Sequence, residues 1–274
     1  MADVVMIHGI FAHRSSRTEI SDRWREAIVR GLENVRLPAA RDVTLECAFY
    51  GHLYNDGKAG GFAPYVPADL EPGIEQELFV AIGEAAGEEP ASVDPTKVWA
   101  PRTVQWAVRR IERYQLFDRA SAVTIGLVKQ VARYLRDADF GQAVRDELAQ
   151  AMEAKPRVLV AHSLGSVVAY DWLRRQPSPP VEALVTIGSP LGFRGIRRAL
   201  HPDLDTSLPP APQVSTWVNV AAVEDAVATV KKLDGLFEGT VTDRTARNPR
   251  LKAHSATTYL QNVHTSNALK AALG

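Results

Sequence analysis

Residues 157–170 read RVLVAHSLGSVVAY. The first part is short, apolar and rich in valine, the pattern of a strand covered on both faces. The second part continues as LGSVVAYDWLRRQ, a helical run that Pro177 brings to a stop. Between them lies Ala161-His162-Ser163-Leu164-Gly165, a tight turn with a small residue at each end. Such a turn lifts a serine hydroxyl above the end of a sheet. The helix that starts there aims unpaired backbone N–H groups at the same point. Strand, turn and helix around this serine make Ser163 the candidate nucleophile.

Working outward, similar apolar runs occur at 4–7 (VVMI), 43–49 (VTLECAF), 182–187 (EALVTI) and 215–221 (STWVNVA), and GTVTDRT is strand-like. Helical patterns lie between them. Ser21 is read as the cap of a helix beginning at Asp22, with Trp24, Ala27, Ile28 and Leu32 on its apolar side. The segment 139–154 places Phe140, Val144, Leu148 and Met152 on one face. Strands alternating with helices predict a three-layer α/β/α sandwich around a mostly parallel sheet of about six strands. Ligands of such sheets bind at the carboxyl ends of the strands.

The 274 residues are read as a single domain, 1–274, carrying a helical insertion at 55–137 that acts as a lid over that end of the sheet. Within the insertion, glycine and proline cluster at 57–73, a loop runs across 87–96, and helical periods occupy about 102–117 and 121–136. Its charges are segregated: eight acidic and no basic residues at 69–94, then nine basic and two acidic at 97–136. Lys129, Arg133 and Arg136 share a helical face. They either pair with the acidic half or form a patch for a membrane surface of anionic lipid or a negatively charged substrate.

Thirty-two basic residues balance thirty-two acidic ones, which argues against nucleic acid as a partner. The single cysteine, Cys47, excludes an intramolecular disulfide, fits a reducing compartment and reads as a small core residue. No signal peptide and no membrane-spanning run is evident, so a cytoplasmic location is expected. Metal-ligand spacings and phosphate-binding glycine loops are absent from the sequence, and no cofactor or metal is expected.

A serine hydroxyl needs a base to take its proton. Only His201, His254 and His264 follow Ser163. His201 precedes the plausible acids and His264 opens a short C-terminal helix, which leaves His254, in a loop before ATTYLQN, as the expected base. Asp225, just beyond the strand ending at Ala221, is the expected acid, with Glu224 its nearest rival and Asp234 and Asp243 weaker ones. The first strand runs into His8-Gly9-Ile10-Phe11. Backbone N–H groups of Ile10 and Leu164 are the expected oxyanion donors, with His8 structural. Phe11 and His162 are the expected substrate contacts.

These segments resemble the α/β-hydrolase superfamily. VVMIHGIFAH and VLVAHSLGS are similar to the oxyanion strand and elbow of small bacterial lipases, some of which also carry Ala-His-Ser. TIGSPLG at 186–192, WVNVAAVEDAVA and AHSATTYL resemble segments of lipase-like and inositol-deacylase-like members. The match covers roughly 1–50 and 139–274. Ala161 replaces the usual first glycine of the elbow, Ala222 and Ala226 replace an Asp and a Pro near the acid, and no counterpart of the fold's first antiparallel hairpin is expected. The resemblance implies a serine hydrolase acting on a carboxylic ester, of a small molecule or a lipid; thioester and amide substrates stay open. The alternative is a non-catalytic ligand-binding protein or a latent effector on the same fold.

Overall fold

The computed structural model describes residues 2–9, 15–54, 65–86, 101–114 and 120–274. Six strands form one all-parallel sheet among these residues: β1 (Val4–Ile7), β2 (Leu45–Ala48), β3 (Val158–His162), β4 (Ala183–Ile187), β5 (Thr216–Ala222) and β6 (Thr242–Ala246). Their order is β2-β1-β3-β4-β5-β6. Every apolar run quoted above matches a strand to within two residues at either end.

The helices cover both faces. On one side, α1 (Arg17–Asn34), α8 (Ala256–Leu260) and α9 (Val263–Leu273) pack over Val4, Met6, Val158 and Val160. On the other, α5 (Ala138–Met152), α6 (Leu164–Leu173) and α7 (Arg194–Leu200) pack over Val5, Ile7, Leu159 and Ala161. The alternation of Val4 and Met6 against Val5 and Ile7 is the two-residue period of a strand feeding two cores.

Because β1 connects outward to β2 and the chain returns to β3 on its other side, the connections diverge between β1 and β3. In open parallel sheets that divergence leaves a crevice at the carboxyl ends of the two strands, where ligands bind. Ile7 pairs with Ala161 there, so the residues that follow each, His8-Gly9 and Ser163, emerge side by side.

The insertion contributes α2 (Ile74–Ala85), α3 (Pro101–Tyr114) and α4 (Ala120–Arg136). Leu78, Phe79, Ala107, Ile111, Ile125 and Val128 join the same hydrophobic core as the sheet. These helices therefore thicken one layer of the sandwich. Lys129 pairs with Glu75 at 3.2 Å and Arg136 with Glu71 at 3.0 Å, while the Arg133 guanidinium lies over the Phe140 ring. The basic face is thus engaged within the protein, largely by the acidic half of the insertion.

Three details differ from the sequence reading. The first helix begins at Arg17, not Asp22, because Ser16 and Glu19 form a reciprocal capping box; Ser21 lies inside the helix. Helix α2 has no counterpart in that reading: its contiguous LFVAI is buried on several sides and carries no clear amphipathic stripe. Helix α6 ends at Leu173, ahead of Pro177. Trp24, Ala27, Ile28 and Leu32 are buried as expected, as are the four apolar residues of α5.

Losing the hydroxyl that caps α1 should matter and losing the one within it should not. Ser16→Ala is expected to lower stability by about 1 kcal/mol, and Ser21→Ala to change it by less than about 0.5 kcal/mol, both read from urea unfolding midpoints.

Candidate active site

Ser163 sits between β3 and α6 at φ 54° and ψ −128°, a conformation that costs a non-glycine residue about 1–3 kcal/mol. Its surroundings impose that bend. Ser163 N–H donates to Ile187 O at 3.2 Å, and Ser163 O accepts from Ser166 N–H at 2.9 Å and from the Ser166 hydroxyl at 2.6 Å. The turn also presses against the end of β1. A Cβ on Gly165 would lie 2.5 Å from His8 O, and one on Gly9 would lie 2.6 Å from Ser163 Cβ. Ala161 tolerates its methyl because it is a strand residue whose side chain fills the core beside α6. The departure from glycine at that position therefore leaves the elbow intact.

The three expected groups are brought together from three strand ends. Ser163 Oγ is 2.9 Å from His254 Nε2. His254 Nδ1 is 2.8 Å from Asp225 Oδ2 and 3.0 Å from Oδ1. With Nδ1–H donating to the carboxylate, Nε2 carries the lone pair and the serine O–H donates to it. All three are buried, with relative exposures of 1%, 7% and 0% in the order Ser163, His254, Asp225.

Asp225 is held in place by more than the imidazole. Its Oδ1 accepts from Val227 N–H at 3.0 Å, and the Tyr259 hydroxyl donates to Oδ2 at 2.7 Å while accepting Ala222 N–H at 2.8 Å. Lys231 Nζ donates to the Asp225 carbonyl. Burial by itself would raise this carboxyl's pKa. The adjacent His254, then Lys231 and the Tyr259 hydroxyl, outweigh it and hold the group below its ordinary value. Gly188, at φ +56°, makes room for the pair, since a Cβ there would meet Asp225 Oδ2 at 2.9 Å and His254 Nδ1 at 3.2 Å.

The rival residues are occupied elsewhere. Glu224 accepts from Asn248 N–H, Asp234 from Val241 N–H, and Asp243 from Leu233 and Asp234 N–H and from the Asn219 amide. His201 bonds to the Tyr170 hydroxyl, and His264 lies in the first turn of α9.

His8 is structural, as expected: Nδ1–H donates to Gly9 O at 2.6 Å and Nε2 accepts from Tyr50 N–H at 3.1 Å. His162, expected at the substrate, has a structural bond as well. Its Nε2–H donates to His254 O at 3.0 Å and its ring meets the edge of Trp24. The residue also lines a cleft beside Gly9. Leu164 is the first residue of α6, so its N–H is one of those with no acceptor inside the helix. Ile10 and Phe11 lie outside the described residues.

Tyr259, Lys231 and Gly188 went unread in the sequence. Tyr259 is one aromatic in a short helix, and its partner Asp225 comes from a different strand end. Gly188 stands in the TIGSPLG segment, quoted there for its likeness but given no role. The insertion also reaches this end of the sheet: the Tyr114 hydroxyl donates to Glu224 O at 3.1 Å and the Arg250 guanidinium lies over the Tyr114 ring.

The chain was compared with protein-family models, curated proteins and solved structures, and none matches.

Two consequences can be measured without any substrate. Ser163→Gly and Ser163→Ala both remove the hydroxyl, but only glycine relieves the positive φ. Ser163→Gly should therefore be the more stable of the two by about 1 kcal/mol, the reverse of the usual order. The second concerns acid. Burial pushes His8 down to about 4 and His162 down to about 3. In the unfolded chain such groups titrate near ~6.5, so below that pH only the unfolded state takes up their protons. Stability should be full above about pH 6.5 and fall toward pH 4, by about 1.4 kcal/mol per pH unit for each histidine. Urea midpoints across this range should fall less steeply in His8→Gln and His162→Gln; an unaltered slope in both would mean the imidazoles are not held neutral.

Proposed function

We propose that this chain is a serine hydrolase of the α/β-hydrolase type that cleaves a carboxylic ester, with Ser163 as nucleophile, His254 as general base and acid, and Asp225 as its orienting carboxylate. One observation carries the reading: the continuous relay from Ser163 Oγ through His254 to Asp225, at 2.9 and 2.8 Å, on a serine held in a strained turn. A core serine without chemistry has no reason to occupy that conformation. The chain order Ser, Asp, His, each placed after the carboxyl end of a parallel strand, is that of the superfamily.

In this reading Ser163 Oγ attacks the ester carbonyl as its proton passes to His254 Nε2. The imidazolium so formed is stabilised by Asp225, whose lowered pKa keeps it ionised. The tetrahedral oxyanion faces the N-terminus of α6, where Leu164 N–H is available. A second donor is expected from Ile10 N–H. His254 then gives its proton to the departing alkoxide and activates water to release the acyl group. The insertion, tied to the acid loop through Tyr114, forms the cap of the proposed site. A reducing, cytoplasmic setting suits a chain with one cysteine and so no internal disulfide.

A fluorophosphonate probe should label the wild-type protein and leave Ser163→Ala unlabelled. Hydrolysis of p-nitrophenyl esters should fall by a factor on the order of a thousand or more in the same variant. A folded wild type that takes no label and turns over no ester would favour the binding-protein alternative.

A further inference from the structure

A cleft of about 310 Å³ opens beside the nucleophile, on the α1 and α8 side of the sheet, and the proton relay makes no use of it. One wall is Gly9, which abuts Ser163 Cβ and Oγ; another is Ser255 to Thr257, the residues directly after His254. The floor is apolar, from Ile20 and Trp24 of α1, and Arg23 stands on the same helix at the exposed rim.

Arg23 is the telling residue. Its Nε donates to Glu19 O at 3.2 Å and its Nη2 to Ser15 Oγ at 3.0 Å, both uncharged acceptors. Glu19, one turn earlier, is the natural carboxylate partner, but the capping box turns that carboxylate back to Ser16 N–H at 2.8 Å. Among the described residues the guanidinium therefore has no acidic partner, and no carboxylate lines the cleft. His8 and His162, the other basic groups on its described walls, are held neutral by burial. With Nε2–H committed to His254 O, the Nδ1 lone pair of His162 is left as an acceptor next to Gly9. Hydroxyls of Ser15, Ser255 and Thr257 complete a surface that is polar, floored by an aromatic ring and, among the described residues, carries the one cation of Arg23.

We infer that this cleft receives the leaving group of the ester, and that this group carries an anionic oxygen function, a carboxylate or a phosphate, paired with Arg23. The inference rests on the hydrolase reading. The leaving oxygen must be within reach of His254 Nε2 to be protonated, so the departing half of the substrate lies on the side of the site that residues 255–257 wall. A guanidinium with unused donors matches the geometry of a carboxylate or phosphate. The cleft is at the small end of ligand sites, which fits a compact ring or short chain.

The test compares 4-acetoxybenzoate, anionic on its leaving group, with its neutral methyl ester. Wild type should prefer the anionic ester in kcat/KM. In Arg23→Gln that selectivity ratio should fall about tenfold or more, the worth of a charge-assisted hydrogen bond, and Arg23→Lys should restore part of it. Competition by 4-hydroxybenzoate and by phenyl phosphate tells carboxylate from phosphate. The same anion moved to the acyl side, in mono-p-nitrophenyl succinate, should bring no Arg23-dependent preference. Equal ratios in wild type and Arg23→Gln overturn the inference while leaving the hydrolase reading intact. If neither ester turns over, fluorophosphonate labelling decides the hydrolase reading, and calorimetry with 4-hydroxybenzoate decides the cleft alone: an affinity equal in wild type and Arg23→Gln, or none in either, overturns it.

Discussion

The site depends on how closely the turn after β3 approaches the end of β1. Two glycines set that distance. Without side chains, Gly9 and Gly165 let Ser163 lie against His8 and Gly9, and a methyl group at either position would overlap atoms about 2.5 Å away. The rest follows from this contact. Strain in Ser163 aims its hydroxyl away from the core, and parallel pairing of β3, β4, β5 and β6 delivers the acid and histidine loops to the same edge.

A second level of order surrounds the acid. Asp225 is bound by an imidazole, a phenol and a backbone N–H, and a lysine grips its own carbonyl. A buried carboxylate without such partners would take up a proton instead of staying charged. Here the partners overcome the desolvation, and Asp225 keeps its charge beside the His254 ring. Asp243 does similar work on the backbone, anchoring Leu233 and Asp234 so that the loop between β5 and β6 returns to the sheet without an intervening helix.

Much of this was legible in the sequence, because its signals are local. Valine-rich runs bounded by polar residues gave the strands, and a small-x-Ser-x-Gly turn between strand and helix gave the elbow. Chain order then sorted the histidines and acids. What escaped the reading was nonlocal or ambiguous. Tyr259 meets Asp225 only because α8 folds back over β4 and its phenol reaches the end of β5. Helix α2 is too evenly apolar to display a period. Ser16 and Ser21 are both acceptable caps by residue type, and the Glu19 that decides between them was not weighed. The cleft exists because α1 and α8 face each other across the end of β1, an adjacency that no single segment encodes. Charge segregation in the insertion was visible, and the ion pairs of Lys129 and Arg136 show where it is spent.

The placement of Cys47 has a practical consequence. It lies in β2, pairs with Met6 and faces the core under α1, where burial pushes its thiol up to about 12. It is the chain's one sulfhydryl. Thiolate is the reactive form, so the folded molecule offers almost none to an alkylating reagent while the unfolded molecule offers an ordinary one. The protein therefore carries its own chemical gauge of opening: the rate at which this residue is modified reports how often the edge strand leaves the sheet, with no label having to be introduced.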